Sequence, residues 1–536
     1  MMINLRRRFF PIFLSVLLLL CGSAWAQDQP PADGSDQNLS VADQARKARK
    51  DSTKEIQMSD ADAKKLFESV NKIFAFASED TGFPQHADVK RRLVGSDEVE
   101  KYTRQQQAKQ DYAQRFSRSE LTMKKLGLLP RDFNMREFLV KANGKQIGAY
   151  YDFDTKTISM LNWIPLEQQA PILAHELTHA LQDQNYGLKN WLKTPDDPNP
   201  SQLHSSEEDA NDDRPTARRA VVEGQAQVVF VDYILQPTGK TLQAAPGLLY
   251  QMEDPAVKAV ADSELLHDAP MIIREMGTFP YVAGLIFEGE LLQKGGKPLA
   301  FAGAFARPPR TTHEVLHPDA YLAHEKPPTV ALPDVQSLLG NQYSIYDSGG
   351  IGELDMRALL KQYGERKAAN DIAADWVGGR YVAFRKANPG AASEGTVSDL
   401  ALLFVSRWKS AQSAQHFAKI YVGDVNQRYA NAAAQPLPAC GGTQCPVAAA
   451  SFSTDEGPVL INDYSDNTVV ICEGFDQGSA AKLLTALRNQ SANVQAATFS
   501  QDELGLRLFD APGFAAFQER IEGLFREELI RRASKP

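Results

Sequence analysis

Past its first two dozen residues the chain has no apolar run of the roughly 18 residues that a membrane-crossing helix needs. Cysteine is scarce, four in 536 residues, and one of these, Cys21, falls in the N-terminal apolar stretch. A small disulfide-stapled scaffold is thereby excluded. Positive charge is not in excess either. The formal net charge is −9, which argues against a nucleic-acid partner. No internal repeat is visible. What is there, 43% apolar and 23% charged residues, is the composition of a globular protein, long enough for two or three domains.

The N-terminus reads as a secretory signal. Arg6, Arg7 and Arg8 precede an apolar run from Phe9 to Leu20, and "SAWAQ" offers small residues at Ala24 and Ala26. Cleavage is expected after Ala26, giving an exported chain, periplasmic or secreted, with no stable membrane insertion afterwards. Export permits a disulfide. Cys440 and Cys445 are close enough to close a small loop, with Cys472 left over, although spacing alone does not fix the pairing. No histidine lies near them, which speaks against a metal site on these thiols.

Residues 27–57 read as a polar linker. "DADAKKLFESVNKIFAFASE" carries apolar residues at helical spacing, with Ser59 as its cap. A polar helix is expected over 96–126, ending near Gly127 and Pro130. "QIGAYYDFDTKTISML", 146–161, alternates around a polar turn and predicts a β-hairpin. A helix follows from near Leu166. The segment 193–215 is an acidic, Pro-rich loop. Apolar helices occupy 216–235 and onward to about 295, with a break expected at Gly277–Pro280. Residues 307–322 look more like loop than helix, and 324–335 like a domain boundary. Beyond it, 399–408 reads as a strand and 410–429 as a helix. "VAAASFST", "GPVLINDYS" and "NTVVICEGF" read as three strands, and 479–490 as a helix. Trp376, Trp408 and Gly378–Gly379 read as packing, and 517–535 as an amphipathic helix. The fold class expected is α+β: a mainly helical domain over 58–330 with a small antiparallel sheet, then an α+β region over 331–536.

Within this frame the stretch "LAHELTHALQDQ", 173–184, carries the chemistry. On a helix, His175 and His179 lie one turn apart on one face, positioned to hold one ion. Glu176 is offset beside that ion, where it can take a proton from a bound water. A catalytic zinc needs a third protein ligand. Glu223 in "RRAVVEGQAQVVF" is the choice, because a carboxylate among Val221, Val222 and Ala226 is costly unless paired or bound to metal. Gly224 beside it would admit a close backbone. The alternatives are pairing of Glu223 with Arg218 or Arg219, or a ligand from the acidic loop, among Glu207, Glu208, Asp209, Asp212 and Asp213. That loop is also the candidate for a structural calcium ion. Asp183, four residues after His179, is expected to orient a ligand. "THEVLHPDAY" offers an oxyanion stabiliser, first His317, stiffened by Pro318, and then Tyr321. The edge at Ile147–Tyr151, with Tyr150, could receive a peptide as an added strand.

At these residues the chain resembles the gluzincin metallopeptidases, in which HExxH and a glutamate on a later helix hold zinc. "HELTHALQD" is similar to the thermolysin-type "HELTHAVTD". More widely, the chain looks like a group of bacterial predicted metallopeptidases with a "GxY" hairpin, "LAHELxHALQDQ", "VEGxA" and "PPxST…LHPxxY". Here these are Gly148–Tyr150, 173–184, Val222–Ala226 and Pro308–Tyr321, with a weaker echo at 373–381. The resemblance implies one catalytic zinc on His175, His179 and Glu223, Glu176 as acid/base, a zincin-like domain, and a peptide or protein substrate. Two departures stand out. The acidic loop lengthens the spacing from His179 to Glu223, and Gln227 stands where the thermolysin pattern has an aspartate. Hydrolysis of another amide, such as a cell-wall peptide, uses the same residues. A zinc-holding binding protein without turnover is a third reading, and Glu176 argues against it.

Overall fold

The computed structural model describes residues 58–95, 98, 112–142, 149–162, 166–192, 203, 212–249, 266–326, 329–364, 366–389, 395–437, 440, 445–490, 520, 521 and 523. The signal, the linker, Ile147, Gly148, Glu207, Glu208, Asp209 and nearly all of the helix expected at 517–535 lie outside these residues.

Helix α1 (Asp60–Thr81) begins at Ser59, whose hydroxyl accepts from Asp62 N–H, and ends at Gly82 in the left-handed region. Leu66, Val70, Ile73, Phe74 and Ala77 form its buried stripe. Strand β1 (Lys90–Val94), α2 (Tyr112–Leu126) and α3 (Met135–Ala142) follow, then β2 (Tyr150–Asp152) and β3 (Thr157–Leu161). β2 and β3 pair antiparallel, Tyr151 opposite Ile158, as the alternation predicts. The sheet is nevertheless mixed, because β1 lies parallel on the other side of β3. The sequence of β1, KRRLV, has no apolar alternation to announce it.

The helical core is built from α4 (Leu166–Tyr186), α5 (Arg214–Leu235) and α6 (Met271–Pro298), with α5 packed against both others. α5 and α6 meet at two glycines. A Cβ on Gly224 would stand 2.3 Å from the Gly284 carbonyl oxygen, and one on Gly284 the same distance from that of Ala220. This close approach is what Gly224 allows. The break expected at Gly277–Pro280 is absent: α6 runs through both residues and leaves helical geometry only at Gly296 (φ 64°, ψ −169°). An internal proline costs about 3 kcal/mol, and here Met276, Phe279, Tyr281, Leu285 and Phe287 are all buried around it, which offsets that cost. The segment expected as loop at 307–322 folds into two short helices, α7 (Thr312–Leu316) and α8 (Pro318–Leu322). Thr311 caps the first and Pro318 opens the second.

The C-terminal region is a seven-stranded sheet, ordered β4-β5-β6-β10-β9-β8-β7, with every neighbouring pair antiparallel. The strands are β4 (Tyr343–Ile351), β5 (Trp376–Lys386), β6 (Leu400–Trp408), β7 (Ala433–Ala434), β8 (Ala448–Ser453), β9 (Val459–Asp463) and β10 (Thr468–Glu473). Helices α9 (Glu353–Tyr363) and α10 (Arg366–Ala374) connect β4 to β5, α11 (Ala411–Arg428) follows β6, and α12 (Gln477–Gln490) follows β10. Both faces of the sheet are buried, which explains the near-continuous apolar run of β6. Leu402, Phe404 and Ile471 join the helical core, while Leu403, Val405 and Val470 pack with Leu483 of α12. The fold is α+β. One buried cluster holds Leu173, Val229, Leu354, Trp376 and Phe404 together, so packing continues across residues 324–335. Cys440 and Cys445 form a disulfide, and Cys472 is a buried free thiol.

Candidate metal centre

Helix α4 threads the core with Leu173, Ala174, Leu177, Ala180 and Leu181 buried. Its remaining face carries His175 and His179, whose Nε2 atoms are 2.9 Å apart. The neighbouring α5 brings Glu223 to them: Oε2 lies 3.4 Å from His175 Nε2 and 3.3 Å from His179 Nε2. Ligand atoms set about 2.0–2.2 Å from a tetrahedral ion stand roughly 3.3–3.6 Å from one another. The triangle fits such an ion with a small relaxation of the histidine pair. Arg219 approaches the other oxygen of Glu223 at 4.0 Å, so the expected cation contact coexists with the histidine contacts. Burial works against the charge on Glu223, but His179 and His175 hold its carboxyl well below the usual range. Burial likewise opposes a charged His179, and Glu223 pulls its pKa up. A divalent cation would satisfy this histidine and carboxylate set directly.

Glu176 is buried beside the triad and its Oε2 accepts from Tyr151 N–H at 2.9 Å. Tyr151 lies on β2, the edge strand of the small sheet. Its phenol donates to Asp183 at 3.0 Å. Asp183 also takes Lys156 and, at 3.1 Å, Leu188 N–H. Burial, with the Asp183 carboxylate opposite, pushes the Tyr151 phenol up. Asp183 therefore ties the hairpin to α4 and bonds to neither histidine among the described residues, contrary to the expectation that it orients a ligand. That task falls to Gln182, whose Oε1 lies 2.8 Å from His179 Nδ1. The contact suits a proton on Nδ1, which would leave Nε2 free to bind an ion. Gln182 is itself held by Val222 O at 3.0 Å and Gln225 at 3.1 Å. Its place three residues after His179 was the signal available. Gln227 is fully buried, but its amide makes no hydrogen bond among the described residues, so it is not the histidine acceptor that its position suggested.

The other expected site residues go elsewhere. Tyr150 points away from Tyr151, as strand alternation requires, and its hydroxyl accepts from Arg92 at 3.3 Å. Tyr321 is a core residue, packed edge-on against Phe287 and donating to Arg307 O at 2.7 Å. His317 belongs to a second cluster. Its Nε2 lies 2.9 and 3.1 Å from the two oxygens of Glu353, on which His313 Nδ1 also converges at 2.5 Å. Glu353 is the residue that reading the sequence missed. Of the acidic-loop candidates, Asp212 accepts from Gly350 N–H, and Asp213 from the backbone and hydroxyl of Thr312. Both fasten α5 to its neighbours.

Comparison with known proteins gives one match, to a domain of unknown function (DUF8575) over residues 342–484. That span coincides with the seven-stranded sheet and stops short of the triad on α4 and α5. No curated protein and no solved structure matches the chain.

Proposed function

We propose that the chain is an exported zinc-dependent metallopeptidase whose centre is His175, His179 and Glu223, with Glu176 as general base and acid. The observation that carries this reading is the convergence of two imidazoles and a carboxylate within 2.9–3.4 Å of one another, with Glu176 held at their side by a backbone N–H. A zinc ion held by His175, His179 and Glu223 would supply an acidified water, with a pKa of about 7, and a Lewis acid for the scissile carbonyl. Glu176, aimed by the Tyr151 N–H, is the residue that would hold the attacking water's proton on its carboxylate and deliver it to the leaving amine. Tyr151 N–H fixes the carboxylate's direction, and Gln182 fixes the His179 tautomer. β2 is a sheet edge next to Glu176, so an extended peptide aligned along it would bring its carbonyl to the triad. The side chains of His179 and Glu223 keep 8% and 10% of their surface exposed and that of His175 none, so approach is from the His179–Glu223 side.

The test is digestion of a diverse peptide mixture by the zinc-loaded chain beside Glu176→Gln, read by mass spectrometry. Cuts made by the wild type and lost in the variant are the expected result. A variant that binds zinc and cuts like the wild type removes Glu176 from the chemistry. No cuts by either, with zinc bound, moves the reading to a non-peptide amide or to binding without turnover.

A further inference from the structure

We propose that His313, His317 and Glu353 form a second, separate site for a divalent cation of the zinc class, one that clamps the seven-stranded sheet region to the helical core. His313 and His317 are four residues apart, on α7 and at its C-terminal cap, so their rings share a side. The ring centroids are 4.5 Å apart. Glu353, the first residue of α9, reaches both, and one ligand atom from each of the three lies within 4.8 Å of the others.

The placement is built rather than incidental. Thr311 Oγ1 accepts from Glu314 N–H and so sets the start of α7. Thr312, directly before His313, donates its N–H and hydroxyl to Asp213 and accepts from Leu354 N–H at 3.3 Å. Leu354 directly follows Glu353, so one threonine fixes the spacing of both halves of the cluster. Gly352 N–H in turn donates to Asp355 at 2.9 Å.

The donor set decides the class of ion. Two imidazole nitrogens and a carboxylate suit zinc and its first-row neighbours, whereas calcium and magnesium take oxygen ligands. The Glu353 side chain is 4% exposed and that of His317 36%, so the fourth position opens on the His317 side. The site is distinct from the triad on α4. Asp213, which touches α7, is the N-cap of α5, Glu223 lies ten residues on along that helix, and ten residues of helix span roughly 15 Å. Paired metals in one catalytic centre stand about 3.5–4 Å apart. Glu314, the acid after the first histidine, is engaged by Arg310 through its backbone N–H at 2.6 Å and its guanidinium at 2.8 Å. It is spent on structure and not poised over the cluster. Glu353 lies inside the segment matched at 342–484 and both histidines lie outside it, which makes the ion a cross-link between that segment and the rest of the chain.

The test counts metal on the full chain. Protein stripped with chelator, reloaded with excess Zn2+ and desalted is assayed by inductively coupled plasma mass spectrometry. The same is done for His175→Ala/His179→Ala and for His317→Gln/Glu353→Gln. About two ions per wild-type chain and one in each paired variant are expected, with zinc raising the melting temperature of the His175→Ala/His179→Ala protein. A wild-type count of one that survives His317→Gln/Glu353→Gln overturns the proposal. One ion that survives His175→Ala/His179→Ala and leaves with His317→Gln/Glu353→Gln sinks the catalytic reading instead. Circular dichroism checks that each variant is folded. Should Glu353→Gln not fold, His317→Gln alone, at a partly exposed position, decides by the same count.

Discussion

HELTH and HEVLH are nearly the same five letters, and the two regions that carry them use those letters differently. The first lies in a helix of 21 residues through the core, and its His175 side chain has no exposed surface. The second lies in a helix of five residues and its C-terminal cap, His317. The deciding difference is the acid between the histidines. Glu176 faces the triad and is aimed by a backbone N–H of an edge strand. Glu314, on the helix's first turn, is tied to Arg310 just before its cap. An acid that must give and take a proton has to face the reacting water, and an acid locked to a guanidinium one turn away does not. On the proposed reading, the ligand pair marks a metal site in each region, and the neighbour of the glutamate separates the catalytic site from the structural one.

The largest effect expected follows from that contrast. Glu176→Gln lowers peptide cleavage by about 10²- to 10⁴-fold, the usual worth of a general acid/base, with zinc content unchanged. Glu314→Gln leaves cleavage within about twofold, since it changes no proton transfer. Equal losses in the two variants would break the comparison. Next in size is Gly224→Ala. Its new Cβ meets the Gly284 carbonyl at 2.3 Å, where only backbone could move. Overpacking of this kind costs on the order of 1–3 kcal/mol. The displaced helix carries Glu223, so the expected result is loss of zinc from the α4 site with the His313 site still filled. Thermal unfolding and metal counts on one sample read both effects.

How much of this is legible beforehand depends on how locally each feature is written. The α4 pair and Glu176 fall within one helical turn, and the apolar frame around them declares the helix. Glu223 is legible because a carboxylate among valines has to be explained. Glu353 is not, since it follows the glycine-rich end of β4 and its partners are 36 and 40 residues away. His313 and His317 stand out in the sequence, but as oxyanion candidates; their spacing as a ligand pair is masked by prolines and polar residues that read as loop, although Thr311 and Pro318 are ordinary signals for two short helices. Strands β6, β9 and β10 show as apolar runs. β4 and β5 are masked by glycines, whose purpose is visible only in three dimensions: a Cβ on Gly349 would stand 2.7 Å from the Asp212 carboxylate. Asp183 drew the ligand-orienting role because acids fill it elsewhere, while the adjacent amide, Gln182, has the contact.

Two smaller effects sharpen the contrast from opposite sides. Gln182→Ala removes the acceptor for His179 Nδ1–H and leaves the tautomer unset. Losses of such outer contacts weaken metal affinity by roughly 10- to 100-fold. Competition with a chromophoric chelator should show this at the α4 site and no change at the His313 site. Thr311→Ala is the converse. It removes the hydroxyl that caps α7, which costs about 1 kcal/mol, close to a fivefold change in an equilibrium constant. The orientation of His313 and His317 depends on that short helix, whereas α4 depends on the core around it. The chelator titration should therefore show a few-fold weaker second ion and an unaltered first. A first ion weakened to the same degree would mean that the two regions are coupled through α5, the helix that touches both.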